Sequence, residues 1–196
     1  MHVPLCLCGL IPRIDHVTRV VLLAHPAEWE RPSNTGRLAV LALKRAELAT
    51  WSPSLDLELL LRDGHDHLLL HPAGKPLTAG DRPISLIVPD GTWRESSRIA
   101  RRISEHPRIR RVRLDSPPRA GLRDAPSPDR IGTADAIADA LALLGEGDAA
   151  ASLRDVLRIM KDRSLWTRGK LSTDQVTGGL SVEVRRAMST PPRAPR

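Results

Sequence analysis

The feature that most constrains the fold is the alternation of short apolar runs with helix-start residues. VTRVVLLA (17–24) ends at His25, and ISLIVP (84–89) is followed directly by Asp90. Short β-branched runs that end at turn residues predict buried strands. Strands that alternate with helices predict an α/β fold with a mainly parallel sheet flanked by helices. Because such sheets bind ligands at the carboxyl ends of their strands, function is expected in the turns after these runs.

Helices are predicted from caps and apolar stripes. Caps at Ser33, Asn34 and Thr35 predict a helix over 36–49. Thr92 and Glu95 form a T-x-x-E capping box after the second apolar run. Thr133 is predicted to cap a third helix that ends at Gly145 and Gly147, and a last helix is predicted over 149–162. The side chains expected to face the core are Leu38, Leu41, Ala42, Ala46 and Ala49 in the first helix, Trp93, Ile99, Ala100 and Ile103 in the second, and Ala134, Ile137, Ala138, Leu141 and Leu144 in the third.

Three further apolar runs are strand candidates. LDLELLL (55–61) and HLLLHP (67–72) are separated by Asp63-Gly64, and IRRVRL covers 109–114. The following SPPRAGLRDAPSPDR (116–130) is too rich in Pro and Gly for regular structure, so a functional loop is expected there.

Charge and cysteine content restrict the partners and the compartment. The 196 residues include 30 basic and 23 acidic side chains, a net charge of +7, which favours a polyanion such as RNA. No apolar run approaches the roughly 18 residues of a membrane span, and the start of the chain lacks a basic leader. Cys6 and Cys8 are too close for a usual structural disulfide, so reduced thiols in the cytoplasm are expected.

Four sequence blocks together resemble a known family. They are HPAEWERPSNTGRLA (25–39), LLLHP (68–72), DGTW (90–93) and GLRDAPSPDRIGTADAIADAL (121–141). In this order they resemble the DTW-domain family of tRNA-uridine aminocarboxypropyltransferases. The resemblance implies a SPOUT-like α/β domain whose knotted loops bind S-adenosylmethionine. It further implies transfer of the 3-amino-3-carboxypropyl group to N3 of a uridine in tRNA, with methylthioadenosine as the second product.

The resemblance makes Asp90 the candidate catalytic base. Removal of the uridine N3 proton requires a positioned acceptor, which a carboxylate at the cofactor pocket provides. From spacing alone, Asp90 is instead an Asx turn that shapes the exit of the strand. Trp93 is either a core anchor for its helix or a platform for a base or adenine.

A cofactor-binding set follows from the same resemblance. The helix start at Thr133 either presents N–H groups to the methionine carboxylate or is only a cap. Asp135 stands where the family usually has Glu and is shorter by one methylene, and Arg123 matches a family Arg able to bind a carboxylate or phosphate. The predicted cofactor-binding residues are Thr92, Trp93, Leu114, Arg123, Thr133 and Asp135.

A second set is assigned to the RNA side. His25 and Glu28 match the family and are interpreted as pocket-shaping or RNA-side residues. Eight arginines between 94 and 113 form the densest basic stretch, which is either a solvated surface or a phosphate-binding surface. The predicted RNA-binding residues are His25, Glu28, Asn34, Thr35, Arg37, Arg94, Arg98 and Arg101.

No bound metal is predicted. His65, His67 and His71 alternate along a strand beside an Asp and are interpreted as a solvated strand edge. Family members commonly carry a C-x-x-C pair before the C-x-C, but here Cys6 and Cys8 stand alone, so either the true start lies upstream or a zinc knuckle has been lost.

The chain is divided into a truncated Cys-containing segment (1–16), a DTW catalytic domain (17–165) and an extension (166–196) with a disordered end. Two other functions stay open. A non-catalytic RNA-binding relative is one, and a SPOUT-like RNA methyltransferase is the other. The sequence does not indicate the oligomeric state.

Overall fold

The fold is built on one parallel sheet. The computed structural model describes residues 6–31, 33–115, 132–180, 182 and 184. Its strands in those residues are β1 (Arg19–Ala24), β2 (Ala46–Thr50), β3 (Asp66–Pro76), β4 (Ile84–Asp90) and β5 (Ile109–Arg113). They lie in the order β2-β1-β4-β3-β5, and every neighbouring pair is parallel. The predicted α/β fold with a parallel sheet is therefore confirmed, while the knot implied by the resemblance stays a prediction.

Both faces of the sheet are covered, as a parallel sheet requires. The helices are α1 (Pro26–Trp29), α2 (Thr35–Ala42), α3 (Trp93–Ile103), α4 (Thr133–Leu143) and α5 (Gly147–Thr167). Alternate residues of each strand point to opposite faces. Leu22 joins a core cluster with α2, α4 and α5, whereas Leu23 joins a second cluster with α3.

This arrangement predicts a ligand crevice at the carboxyl ends of β1 and β4. These two strands are neighbours in the sheet, although two other strands separate them in sequence. The chain leaving β1 forms α2 on one face, and the chain leaving β4 forms α3 on the other. Where successive connections leave in opposite directions, open parallel sheets form their ligand crevice.

The predicted helix over 36–49 is wrong in its second half. Helix α2 ends at Ala42, and Ala46 to Thr50 form edge strand β2, which pairs with β1. Leu41 is also 46% exposed, so it does not belong to the apolar stripe. Ala46 and Ala49 extended the apolar helical pattern of α2 in the sequence. These residues instead form a strand, because β1 offers a free edge for parallel pairing.

Other predictions differ in detail. The strand predicted over 55–61 is wrong, because Leu57–Leu60 form a 3-10 helix whose first turn is capped by the Asp56 side chain. The solvated-edge interpretation of the histidines is wrong for His67, which is buried in β3 between β4 and β5. Its Nε2 accepts from the Arg62 backbone N–H at 2.9 Å, so the histidine closes the preceding turn.

The end of α5 joins the described parts of both termini. Arg163 is 5% exposed and donates to the backbone oxygens of Cys6 and Gly179. Val176, Leu180 and Val184 form a small apolar cluster against Trp166. Helix α5 is longer than the predicted 149–162. The predicted loop 116–130 and the predicted disordered end lie outside the described residues. Among those that are described, no helix has the length and apolar character of a membrane span.

Candidate active site

Asp90 lies at the edge of the sheet where the topology predicts the crevice. It is the last residue of β4, and its side chain is buried, at 4% exposure. Oδ2 accepts a hydrogen bond from Asn34 Nδ2 at 2.7 Å, and Oδ1 accepts one from the Thr133 hydroxyl at 2.6 Å. The carboxylate therefore connects the start of α2 with the start of α4.

Asn34 serves both the carboxylate and its own helix. Its Oδ1 accepts from the Arg37 backbone N–H at 2.8 Å, which caps α2. Its Nδ2 donates to the Glu28 carbonyl at 3.0 Å as well as to Asp90. Because all its polar atoms are used, the amide is held in one orientation.

The predicted cap at Thr133 is shifted by one residue. Gly132 is the N-cap of α4 and makes no side-chain capping bond, and Thr133 is the first helical residue. The Thr133 hydroxyl is used by Asp90 instead. Thr35 accepts from the Ala134 backbone N–H at 3.3 Å, so the two helix starts are joined directly.

Gly36 allows the carboxylate to lie against α2. A Cβ at this position would lie 3.0 Å from Leu22 Cδ2 and 3.1 Å from both Cγ and Oδ2 of Asp90. Such contacts are tighter than most side chains tolerate, so the position of Asp90 depends on the missing side chain.

Asp135 has a partner that the sequence did not indicate. It is 6% exposed, and both of its carboxylate oxygens lie 3.0 Å from Lys161 Nζ on α5. Lys161 is 26 residues away in sequence, so no local pattern could have revealed it. Leu114 is half-buried directly after β5, and Arg123 lies outside the described residues.

Comparison with known proteins identifies the family. The sequence matches the family model of the DTW domain over residues 1–165, most of the chain. The chain belongs to the DTW domain family. Its fold is similar to that of the SAM-dependent rRNA:acp-transferase Tsr3 from Vulcanisaeta distributa, with a TM-score of 0.54 and 21% sequence identity. The similarity covers 90% of this chain and 91% of the Tsr3 chain.

The structure confirms some of the predictions for the DTW motif and the helix that follows it. The capping box is confirmed, because Glu95 Oε2 accepts from the Thr92 backbone N–H at 2.7 Å and the Thr92 hydroxyl donates to it at 2.6 Å. Ile99, Ala100 and Ile103 are buried as expected. Trp93 was predicted to face inward, which is wrong, because it is 52% exposed. It is the first residue of α3 and lies beyond the carboxyl end of β4.

A small pocket opens beside the motif of this DTW domain. It is lined by His25, Trp51, Arg94, Glu95 and Arg98, which we call the His25 pocket. The His25 backbone N–H donates to the Asp90 carbonyl at 2.8 Å, so the pocket adjoins Asp90. The hydrogen bonds from Thr92 lower the pKa of Glu95, which keeps this carboxylate ionised.

The predicted RNA-side residues fall into two groups. Glu28, Asn34 and Thr35 are buried within the DTW domain. Glu28 forms an ion pair with Arg31 at 3.1 Å. Arg37 is exposed and lies over the Trp29 ring, 5.5 Å from its centroid. The second group is more accessible: Arg37, Arg94, Arg98 and Arg101 are exposed, and His25 is half-buried.

The basic stretch of the DTW domain is partly neutralised. Arg102, Arg108, Arg110 and Arg113 each form an ion pair with a carboxylate. Within the described parts of the chain, Arg94, Arg98 and Arg101 form none. Cys6 and Cys8 are free thiols, and the described residues hold no metal-ligating group of three His, Cys, Asp or Glu side chains.

Proposed function

We propose that this DTW domain transfers the 3-amino-3-carboxypropyl group of S-adenosylmethionine to N3 of a uridine in tRNA and releases methylthioadenosine. The observation that carries the proposal is the Asp90 carboxylate, held by Asn34 and Thr133 in the crevice between β1 and β4. The family match and the fold shared with a SAM-dependent acp-transferase support the same reaction class.

The residues of the crevice fit the charges of the cofactor. A sulfonium and an ammonium group favour a carboxylate nearby, and Asp90 supplies one. A methionine carboxylate favours a helix amino terminus, and α4 begins without a side-chain cap at Gly132. We assign cofactor contact to the residues named from the sequence: Thr92, Trp93, Leu114, Arg123, Thr133 and Asp135.

The reaction needs little from the protein beyond a proton acceptor and alignment. S-adenosylmethionine, when bound, supplies a methylene carbon with a neutral thioether as leaving group. The N3–carbon bond forms as the carbon–sulfur bond breaks, and the N3 proton passes to a carboxylate oxygen of Asp90. Asn34 and Thr133 hold that carboxylate in one orientation, which places the proton acceptor for the reaction.

The exposed side chains around the crevice are assigned to the RNA. We assign Trp93 as a stacking platform for a base, since it is 52% exposed at the start of α3. We assign phosphate contact to Arg37, Arg94, Arg98 and Arg101. Glu28, Asn34 and Thr35 act behind this surface, where they fix the loop before α2. We further propose that the protein is cytoplasmic and binds no metal. We also propose a Cys-containing segment (1–16), a catalytic domain (17–165) and an extension (166–196).

The test is product analysis with purified protein, S-adenosylmethionine and unfractionated tRNA. We expect methylthioadenosine and, in the digested tRNA, a uridine heavier by one aminocarboxypropyl group. S-adenosylhomocysteine with a methylated base would establish the methyltransferase instead. A protein that binds tRNA but gains no thermal stability from S-adenosylmethionine would be the non-catalytic relative.

A further inference from the structure

The His25 pocket has a shape and a position that the transfer reaction does not account for. Its volume is about 90 Å³, well below the roughly 300 to 1,000 Å³ of pockets that enclose a whole small molecule. It lies at the carboxyl ends of β1 and β2, next to Asp90, because His25 follows β1 and Trp51 follows β2. The pocket therefore suits one small chemical group of a substrate that also reaches the crevice.

The charge of the pocket comes from two arginines on α3. Arg94 and Arg98 are one turn apart on the exposed side of the helix and both line the pocket. Neither has an ion-pair partner in the described part of the chain, whereas Arg102 on the same helix binds Glu105 at 2.6 Å. Two guanidinium groups four residues apart present donors to the same anion.

Glu95 also lines the pocket, but its negative charge is already used. Oε2 accepts two hydrogen bonds from Thr92, and Oε1 lies 3.3 Å from His25 Nδ1. The carboxylate thus caps α3 and faces the imidazole. With one carboxylate against two guanidinium groups and the amino terminus of α3, the pocket keeps an excess of positive charge.

We propose that the His25 pocket binds a phosphodiester group of the RNA strand, next to the nucleotide whose base lies at Asp90. The proposal rests on the proposed function and adds to it a contact for a neighbouring nucleotide. Arg94 and Arg98 bind the phosphate oxygens, the buried Trp51 forms the wall, and Gly91 brings the turn close. A Cβ at Gly91 would lie 3.0 Å from Glu95 Cβ and 3.5 Å from His25 Cβ.

The experiment compares Arg94→Gln, Arg98→Gln and the matched control Arg102→Gln, which removes the same charge from the same helix. Fluorescence anisotropy with 3′-labelled unfractionated tRNA gives the affinity at several salt concentrations. The logarithm of the association constant falls linearly with the logarithm of the salt concentration. Each pocket variant is expected to make this slope shallower by about 0.7 to 1, because one phosphate contact is lost. Arg102→Gln is expected to keep the wild-type slope. Equal slopes for all four proteins would overturn the proposal.

Competition identifies the source of the phosphate. The dinucleotide UpU is expected to displace labelled tRNA from the wild type more effectively than its uncharged methylphosphonate analogue or inorganic phosphate. The Arg98→Gln variant is expected to lose this difference. Equal competition by inorganic phosphate and UpU would overturn the phosphodiester assignment, since any small anion would then suffice.

Transfer assays separate this proposal from the proposed function. If the wild type releases no methylthioadenosine while the pocket variants still lose salt-dependent tRNA binding, the proposed transfer reaction is refuted and the phosphodiester site in the His25 pocket is supported. If the wild type transfers and the pocket variants match Arg102→Gln in binding and in KM for tRNA, the pocket is wrong and the reaction stands.

Discussion

The strand pair β1 and β4 has a buried charged residue at each end, Arg19 at the amino end and Asp90 at the carboxyl end. The two residues differ in the parts of the protein that they contact. At the amino end, Arg19 is in register with Ser85, and at the carboxyl end Ala24 is in register with Asp90. Arg19 donates to the Leu60 carbonyl at 2.6 Å and forms an ion pair with Glu47. Its partners therefore belong to the sheet and to the connection that enters it.

The described side-chain partners of Asp90 come instead from the loops that begin two helices. Asn34 is 56 residues away in sequence and Thr133 is 43 residues away. The amino end thus stabilises the sheet, whereas the carboxyl end fixes the relative positions of loops that a substrate must reach. We expect substitutions at the first end to change the free energy of unfolding and those at the second to change the transfer rate.

The largest effect is expected for Asp90→Asn. Asn at this position keeps both contacts, since its Oδ1 accepts from Asn34 and its Nδ2 donates to the Thr133 hydroxyl. The fold is therefore retained while the proton acceptor is lost, and we expect methylthioadenosine release to fall by about 100-fold or more. Rate and melting temperature are measured on the same protein. A variant that transfers at the wild-type rate would remove Asp90 from the mechanism.

Arg19→Met is expected to have the opposite effect, with a lower free energy of unfolding and an unchanged transfer rate. Loss of the guanidinium leaves the Leu60 carbonyl without its donor and Glu47 without its cation, which costs about 2 to 3 kcal/mol of unfolding free energy. Denaturant unfolding measures this cost, and the transfer rate of the folded variant is expected to be unchanged. Lys44→Met is the control, because it removes an exposed ion pair with Asp15, and such surface pairs contribute little to stability. Equal losses in the two variants would contradict the structural role of Arg19.

The sequence predicted those parts of the fold that have local signals. The apolar run of β4 and the capping box of α3 define the strand-turn-helix unit that places Asp90. Strand β2 was missed because AELAT has the composition of a helix, and only pairing with β1 makes it a strand. The 3-10 helix Leu57–Leu60 was missed because its apolar run gave no period that separates it from a strand.

The site was predictable only as a set of positions. The motif pointed to Asp90, but its contacts with Asn34 and Thr133 depend on the sheet that brings distant loops together. The bidentate partner of Asp135, Lys161, lies on a helix whose packing against α4 no motif describes. The short helix α1, Pro26–Trp29, which precedes Asn34, was not predicted from the sequence.

Gly36→Ala tests the comparison without removing a polar group. The added methyl group meets Leu22 Cδ2 at 3.0 Å and the Asp90 carboxylate at 3.1 Å, so the carboxylate must shift. We expect a fall in transfer rate of about tenfold, because small displacements of a positioned acceptor are costly. Gly147→Ala is the control, since a Cβ there meets nothing within 4 Å. A Gly36→Ala protein that matches this control in rate would show that the crevice tolerates movement of Asp90.

The smallest expected effect is a pH dependence of stability that arises from His67, near the amino end of β3. Burial, followed by the nearby Arg108, lowers the pKa of His67 in the folded protein, while the unfolded chain keeps a value of about 6.5. The unfolded state therefore takes up the proton first as the pH falls. Stability is fully present above the unfolded value and is lost between it and the lower folded value. His67→Gln keeps a neutral acceptor for the Arg62 N–H, so its melting temperature is expected to fall less than that of the wild type between about pH 7 and pH 5. A wild-type melting temperature that rises over this interval would contradict the assignment of a neutral, buried imidazole to the amino end.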